Sequence, residues 1–271
     1  MTDPGQAASV WTDRSFLRDV QYKTDVNLAA RQSIYTYQEP PVDLARGILS
    51  QAGLSGHEVV ADIGCGNGLY LAELARREHA GPVVGADLSP GMLHAARHRA
   101  PKAGLVVADA TALPFRDATA DVTLAMHMLY HVPEPERAVR ELRRITRPGG
   151  RVVVALNGGD HLGELRDVVA AALGSLGRDP PSLLRERISL DQGEALLRSA
   201  FTSVTRHDFA GQLLVPGPEP VVAYVRSMRE TARLPDPEQL VEAVADRLPA
   251  APGAVARRTG SRLRPASPTR P

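Results

Sequence analysis

Three alternating glycines, Gly64, Gly66 and Gly68, follow a short apolar run that begins near residue 58. Glycine lets the backbone turn tightly and lie directly against a ligand, where a Cβ atom would collide. A helix that begins at Leu69 would direct its first unpaired N–H groups towards the same ligand. The stretch therefore predicts a buried parallel strand that leads into a binding loop of the nucleotide-binding type.

Carboxylates next to the following strands indicate what kind of ligand this loop binds. Asp87 closes the second predicted strand about 20 residues beyond the loop, where an acidic side chain can accept both hydroxyls of a ribose. Asp109 closes the third strand at the same carboxyl edge of the sheet. Asp121 begins the fourth strand at the opposite edge, so a structural role is expected for it.

The glycine spacing argues against a phosphate ligand. Leu69 stands where a dinucleotide fingerprint needs a third small residue, and no Lys-Ser or Lys-Thr pair follows the glycines, which excludes a P-loop. Asp62, two residues before Gly64, would repel a pyrophosphate but suits a ligand that carries an ammonium group. A nicotinamide-dependent oxidoreductase is disfavoured for these reasons.

Three histidines follow predicted strands near the ligand edge: His127, His131 and His161. Histidine can act as a general base near neutral pH, and His131 is the candidate for this role, with Tyr130 orienting the reacting molecule. Packing without a catalytic role is the alternative for each histidine. Cys65 is interpreted as a small loop residue because no base motif surrounds it, and no Cys/His spacing fits a metal site.

Strands and helices alternate in the central part, which predicts an α/β fold with a doubly wound, mostly parallel sheet. The pattern predicts strands over 58–63, 82–87, 104–108, 121–126, 150–156 and 201–215. It predicts helices over 67–78, 90–99, 134–146, 161–175, 191–199, 218–231 and 236–247. Ahead of the first strand, a tyrosine-rich helix ends before Pro40 and a second helix runs from residue 42 to 52.

The totals are those of a globular chain. It has 271 residues with a net charge of +1 and shows no basic stripe for a nucleic acid. No apolar run approaches the ~20 residues of a transmembrane helix. The N-terminus does not resemble a secretory signal, and the single cysteine suggests a reducing compartment, so a cytoplasmic location is expected. Residues 249–271 are rich in Pro, Ala, Ser and Arg and are predicted to be a largely disordered tail, with a degenerate final strand over 253–264 as the alternative.

Four successive motifs resemble those of class I S-adenosylmethionine-dependent methyltransferases. They lie at 62–68, 87–92, 108–110 and 147–150, and the ordered match covers residues 57–160. The most similar group contains small-molecule enzymes of the ubiquinone and menaquinone type and many natural-product enzymes. The resemblance implies a Rossmann-like sheet of seven strands whose last strand is antiparallel, with S-adenosyl-L-methionine as the cofactor.

The resemblance also implies roles for individual residues. Asp62 would lie near the cofactor amino group, Asp87 would hold the ribose hydroxyls, and Asp109 would accept from the adenine amino group. Leu88 and Met92 would line the adenine. The full set implied to bind the cofactor is Tyr22, Arg31, Asp62, Gly64, Cys65, Gly66, Asp87, Leu88, Met92, Asp109, Ala110 and His127.

The N-terminal segment resembles a cap that folds over the cofactor in related enzymes. Arg31 could bind the cofactor carboxylate as a fork, and a solvated helix arginine is the equal alternative. Tyr22, Tyr35 and Tyr37 could close an aromatic lid over the sulfonium, with plain packing as the alternative. His127 would lie beside the sulfonium and the acceptor.

The expected organisation is an N-terminal helical cap over 1–56, a methyltransferase domain over 57–248 and the tail over 249–271. Acceptor-pocket helices are expected within 160–200 and 218–247. The expected function is methyl transfer to an O, N or C atom of a small molecule in bacterial secondary or quinone-type metabolism. No nucleic acid, membrane span or metal is expected, and a homodimer is left open. The alternative is a non-catalytic S-adenosylmethionine-binding scaffold or cyclase-like protein.

Overall fold

A central sheet of eight strands lies within residues 11–178, 188–248 and 253–265, which are the residues that the computed structural model describes. The strands are β1 (Gln38–Glu39), β2 (Val60–Ile63), β3 (Val83–Asp87), β4 (Gly104–Val107), β5 (Ala120–Met126), β6 (Thr146–Asn157), β7 (Val204–Val215) and β8 (Gly253–Pro265). Their order across the sheet is β1-β7-β8-β6-β5-β2-β3-β4. Strands β2 to β6 are parallel, and all four residues of β2 are buried, as expected for a sheet covered on both faces.

The chain order reverses beside β2. This strand pairs with β3 on one side and with β5 on the other, and both pairings are parallel. In a doubly wound sheet, ligands bind outside the carboxyl ends of the strands at such a reversal. The glycine loop directly follows β2, and Asp87 is the last residue of β3, so the topology brings both to the reversal point.

Helices cover both faces of the sheet, as right-handed crossovers require. They are α1 (Arg14–Phe16), α2 (Val26–Ser33), α3 (Leu44–Gln51), α4 (Leu69–Arg76), α5 (Pro90–Arg99), α6 (Pro135–Ile145), α7 (Gly163–Ser175), α8 (Leu190–Ala200), α9 (Pro218–Arg226), α10 (Arg229–Ala232) and α11 (Pro237–Ala245). Helices α6 and α8 share one apolar cluster with the sheet, α3 and α4 share another, and α7, α9 and α11 pack with the end of β7. Within the described ranges, no helix has the length and apolar sequence needed to cross a membrane.

Strand β8 corrects the predicted disordered tail. Residues 253–265 form a strand that lies between β6 and β7 and runs antiparallel to both. The composition of this segment favoured disorder because its pairing partners are distant in sequence, and the alternative of a final strand over 253–264 is the one that the structure supports. The sheet thus holds eight strands, one of them the two-residue β1, where the resemblance implied seven, and its last strand in sequence is antiparallel to both neighbours. Residues 249–252 and 266–271 of the predicted tail lie outside the described residues.

The N-terminal residues 11–37 form a lid over the sheet edge. The lid consists of α1, a π-helical turn at Leu17–Gln21, α2 and a 3₁₀ turn at Ile34–Tyr37. Helix α3 belongs instead to the layer beneath it, since Ile48 and Leu49 are fully buried in the cluster that contains Val60. In the packing, α3 thus lies with the sheet layer and not with the lid, and the domain boundary at residue 56 stays a prediction.

Candidate active site

A cavity of about 550 Å³ lies between the lid and the carboxyl ends of β2, β3 and β5. Most of the predicted site residues line it. These are Tyr22, Arg31, Gly64, Cys65, Gly66, Asp87, Leu88, Met92, Asp109, Ala110, His127, Tyr130 and His131. The structure thus brings together side chains from the lid, three strand ends and the segment after β5, and the remaining predicted residue, Asp62, is not on the wall.

The glycine loop has a left-handed backbone that leaves no room for side chains. The φ angles of Gly64 and Gly66 are +70° and +53°. A Cβ atom on Gly64 would lie 2.7 Å from the Cβ of Met128, and one on Gly66 would lie 3.1 Å from a methyl carbon of Leu28 in the lid. The loop is therefore a bare backbone cradle on which the lid packs directly.

Asp87 fastens this loop to the end of β3. Its Oδ2 accepts from the Gly66 amide at 2.8 Å, and its Oδ1 accepts from the Ser89 amide at 2.8 Å. Burial raises the pKa of Asp87 above its usual range, although these hydrogen bonds lower it. Each carboxylate oxygen has a second lone pair, so Asp87 can still accept hydrogen bonds from two hydroxyl groups in the cavity.

Asp62 does not line the cavity, and its place near a cofactor amino group stays a prediction. Its carboxylate lies behind the glycine loop, is fully buried and has no hydrogen-bond partner among the described residues. Burial, followed by the charge of Asp87, raises the pKa of Asp62 to about 8. Asp62 therefore cannot touch a ligand in the cavity directly. A cation bound on the glycine loop would interact with the Asp62 carboxylate across the loop backbone.

Asp109 is held by the lid as well as by its own turn. Its Oδ2 forms an ion pair of 2.8 Å with Arg14, and its Oδ1 accepts from the amide and the hydroxyl of Thr111, each at 2.8 Å. Arg14 also lines the cavity. A ligand amino group that uses Asp109 would therefore share this carboxylate with Arg14.

His131 lies against the lid with both ring nitrogens engaged. Its Nδ1 is 3.2 Å from the carbonyl oxygen of Trp11, and its Nε2 is 2.9 Å from the hydroxyl of Tyr22. A carbonyl oxygen can only accept, so Nδ1 carries the proton and Nε2 accepts from Tyr22. Burial and then the charge of Arg229 hold the pKa of His131 well below its usual value, so the imidazole is neutral.

The other two histidines differ in position. His127 directly follows β5 with a φ of +54° and lines the cavity. His161 is buried outside this cavity, where its Nε2 is 3.0 Å from the hydroxyl of Tyr35. Tyr130 is buried and packs edge-on against His131, with ring centroids 4.6 Å apart. The site therefore combines His127, Tyr130 and His131, and His161 is not part of it.

Arg31, in helix α2 of the lid, is one of the lid arginines that line the cavity. Its Nη1 donates to the carbonyl oxygen of Ser227 at 2.6 Å, and its guanidinium carbon lies 5.5 Å from the centre of the Tyr22 ring. Its Nη2 is buried without a hydrogen-bond partner among the described residues. An orphaned guanidinium nitrogen of this kind suits a carboxylate ligand.

Three residues of the site escaped the sequence reasoning: Trp11, Arg14 and Arg229. Trp11 is buried against Tyr130 and His131, and the guanidinium carbon of Arg229 lies 3.4 Å from the centre of the Trp11 ring. Trp11 is the single tryptophan of the chain, which is the one feature of the sequence that could have marked it as a site residue. The two arginines carried none, because their partners are distant in sequence.

The glycine loop offers a ligand its backbone, because its one thiol, that of Cys65, is buried. Burial, followed by the charges of Asp62 and Asp87, raises the pKa of the Cys65 thiol, which leaves it a poor nucleophile. In the part of the chain that the structure describes, no group of three or more His, Cys, Asp or Glu side chains could hold a metal ion.

Comparison with known proteins identifies the central segment. A family model described as a methyltransferase domain matches residues 61–154. The methyltransferase GfsG of Streptomyces halstedii is 39% identical over 107 residues, which are 37% of this chain and 38% of that protein. The demethylmenaquinone methyltransferase of Renibacterium salmoninarum is 37% identical over 111 residues, 41% of this chain and 46% of that protein. The match thus spans less than half the length of either relative.

A solved structure extends the likeness to the whole fold. Phosphoethanolamine N-methyltransferase 2 of Haemonchus contortus, in complex with S-adenosyl-L-methionine, has a TM-score of 0.60 at 19% identity, covering 94% of this chain and 60% of that one. At this identity the likeness concerns the fold alone. Residues 61–154 therefore match a methyltransferase domain, and the chain as a whole shares the fold of a solved methyltransferase.

Proposed function

We propose that the protein transfers a methyl group from S-adenosylmethionine to a small-molecule acceptor. The observation that carries this proposal is the bare glycine cradle fastened to Asp87 at the sheet reversal. A backbone cradle of this kind can accommodate the methionine part of the cofactor, and Asp87 retains lone pairs for the two ribose hydroxyls. The family match over the same residues supports this assignment.

The residues of the cavity fit the remaining parts of that cofactor. The Nη2 of Arg31, which has no hydrogen-bond partner among the described residues, suits the cofactor carboxylate. The buried carboxyl group of Asp62 behind the loop suits the cofactor amino group. Leu88 and Met92 offer an apolar wall for the adenine, and Asp109, shared with Arg14, offers an acceptor for the adenine amino group.

When bound, the cofactor supplies a methyl group on a sulfonium, from which transfer is an in-line displacement with a good leaving group. The protein then has to hold the acceptor in line and exclude water, which is the role we assign to the lid and to Tyr130. His131 is neutral, with its Nε2 lone pair directed at the Tyr22 hydroxyl. It can therefore take a proton from an O–H or N–H acceptor, either directly or through Tyr22.

The acceptor is proposed to be a small molecule of bacterial secondary or quinone-type metabolism. The names of the two relatives, GfsG and demethylmenaquinone methyltransferase, support this range. The cavity lies beneath the lid, and Tyr22, Tyr224 and Arg229 line it, which favours a compact acceptor over a nucleic acid. The single cysteine, Cys65, favours a reducing compartment such as the cytoplasm.

Calorimetric titration with S-adenosylhomocysteine tests the proposal. We expect binding by the parent chain and a roughly 100-fold weaker affinity for Asp87→Ala, because two charge-assisted hydrogen bonds to the ligand are lost. Asp117→Ala is the control, since Asp117 is 79% exposed and lies outside the cavity. Absence of binding by the parent, or equal affinities for parent and Asp87→Ala, would refute the proposal.

The non-catalytic alternative makes a different prediction in the same preparation. A scaffold or cyclase-like protein would bind S-adenosylhomocysteine with the same dependence on Asp87 but form none of it from S-adenosylmethionine. A panel of phenols, amines and quinones, assayed for S-adenosylhomocysteine release, separates the two. Turnover with any acceptor rejects the alternative.

A further inference from the structure

A second cavity of about 80 Å³ adjoins the first one on its lid side. The two cavities share three lining residues, Arg31, Tyr224 and Arg229. The rest of the small cavity is lined by Trp11, His161, Leu162, Leu165, Arg166, Val169, Met228 and Glu230. Its volume is a few times that of a water molecule, enough for a carboxylate but not for a second ring.

Positive charge dominates this small cavity. Arg31, Arg166 and Arg229 line it, against the single carboxylate of Glu230 among its described lining residues. Arg229 is only 9% exposed. Burying a guanidinium is costly unless an anion or several hydrogen bonds compensate it, and Arg31 has no ion pair within the described ranges. Even with Arg31 given to the cofactor carboxylate, Arg166 and Arg229 outnumber Glu230.

One aromatic ring separates this charge from the proposed base. The guanidinium carbon of Arg229 lies 3.4 Å from the centre of the Trp11 ring, and that ring stacks on His131 with centroids 6.0 Å apart. Arg229 lines both cavities and His131 lines the large one, so an anionic group held by Arg229 lies where the two cavities meet. The rest of such a molecule can extend past Trp11 into the large cavity towards His131, which suits a molecule with a carboxylate at one end of a ring and a nucleophilic O–H or N–H at the other.

We propose that the acceptor is an aromatic or similarly sized acid, whose carboxylate enters the small cavity and pairs with Arg229 while its nucleophilic atom lies in the large cavity beside His131. The inference rests on the proposed methyltransferase function. It assigns Arg229 as the anchoring residue for the acceptor, and it names a substrate class that the comparisons do not give.

Matched acid and amide probes test this assignment, because they differ in charge but hardly in shape. The protein is saturated with S-adenosylhomocysteine and titrated with 4-hydroxybenzoate, 4-hydroxyphenylacetate and 4-hydroxycinnamate and with their primary amides. We expect at least one acid to bind about 10-fold or more tightly than its amide. In Arg229→Gln this preference should vanish while the affinity for S-adenosylhomocysteine stays unchanged, and Arg229→Lys should restore part of it.

Arg226→Gln is the matched control, since Arg226 is exposed, pairs with Glu238 and lies outside both cavities. Binding of every amide as tightly as its acid, or a charge preference that survives in Arg229→Gln, would overturn the inference. Intact S-adenosylhomocysteine binding in these preparations shows that such a failure concerns the acceptor and leaves the proposed function standing. Loss of that binding in the parent would instead reject the proposed function.

Discussion

Asp62 is a carboxylate that folding buries without giving it a hydrogen-bond donor among the described residues. Its pKa of about 8 in the fold exceeds that of an exposed aspartate, so the folded chain holds a proton that the unfolded chain releases. Stability from this source is complete at acid pH and is lost as the pH rises towards 8. Asp87, whose pKa is also raised, adds in the same direction.

We predict that Asp62→Asn flattens this pH dependence. The parent's free energy of unfolding should fall by up to about 3 kcal/mol between about pH 5.5 and 8, and the variant's by clearly less. Urea unfolding at both pH values, without ligand, measures this. Asp191→Asn, which alters an 81% exposed carboxylate, should follow the parent. Equal slopes for parent and Asp62→Asn would contradict the buried, unpartnered carboxylate.

His131 carries the second prediction at this scale. If it is the base, His131→Ala should lower turnover by roughly 10²- to 10⁴-fold with unchanged affinity for S-adenosylhomocysteine. His98→Ala, at an exposed position on α5, should leave turnover unchanged. Because the pKa of His131 is depressed, the acid limb of the pH dependence of kcat should lie below pH 6.5. A small change in rate with intact cofactor affinity would return His131 to a packing role.

At the scale of elements, hydrogen bonds attach the lid to the loops that follow β2 and β3. Ser89 donates its hydroxyl to the carbonyl oxygen of Tyr22 at 2.7 Å, and Asn67 donates to the side chain of Gln32 at 3.1 Å. Gly91, in the first turn of α5, lies so close to the lid that a Cβ atom there would be 1.9 Å from the carbonyl oxygen of Lys23. Any side chain at position 91 would therefore push the lid away from α5.

Gly91→Ala should therefore displace the lid while leaving α5 intact, since alanine favours a helix. We expect the affinity for S-adenosylhomocysteine to fall roughly 10-fold, with faster hydrogen exchange in α2, because lid contacts are lost. Gly174→Ala, on α7 with open space around the new methyl group, is the control. Unchanged affinity and exchange in Gly91→Ala would mean that the lid contributes nothing to ligand binding.

Elements set by local signals could be predicted from the sequence, and those set by distant partners could not. Helix α6 follows from apolar residues at helical spacing: it is predicted over 134–146 and spans Pro135–Ile145. The positions of the glycine loop and of Asp87 could be predicted from their spacing in the sequence. The contacts of Trp11, Arg14 and Arg229 depend on how the lid docks, a tertiary event with no local pattern. Strand β8 was expected only as an alternative to a disordered tail for the same reason, since pairing rather than composition makes it a strand.

At the scale of the molecule, β8 joins the two halves of the sheet. It is the strand through which β7 and β1 are connected to β6, since β7 pairs with β8 and not with β6. The apolar cluster of α7, α9 and α11 includes Leu213 and Val215 of β7, and Arg31 of the lid donates a hydrogen bond to Ser227 just after α9. The acceptor side of the site therefore depends on a strand far from it.

A chain that ends at residue 252 should lose this connection, and one that ends at residue 265 should keep it. We expect the shorter chain to unfold without a single cooperative transition and to expose apolar surface, because β6 and β7 both lose a partner. Thermal unfolding followed by circular dichroism, with a dye that reports exposed apolar surface, compares the two chains. Cooperative unfolding of the shorter chain at the parent's Tm would show that β8 is dispensable.

The position of β8 also sets an order in time. During synthesis, the residues of β2 to β6 leave the ribosome first and can assemble the glycine loop with Asp87 while β6 still has an open edge. Strand β7 emerges next and can pair with the two-residue β1, but it cannot join the main sheet until residues 253–265 arrive between it and β6. For that interval the nascent chain carries a nearly finished cofactor cradle beside an unpaired strand edge, which makes late synthesis the stage at which it is most exposed to misassociation with other chains.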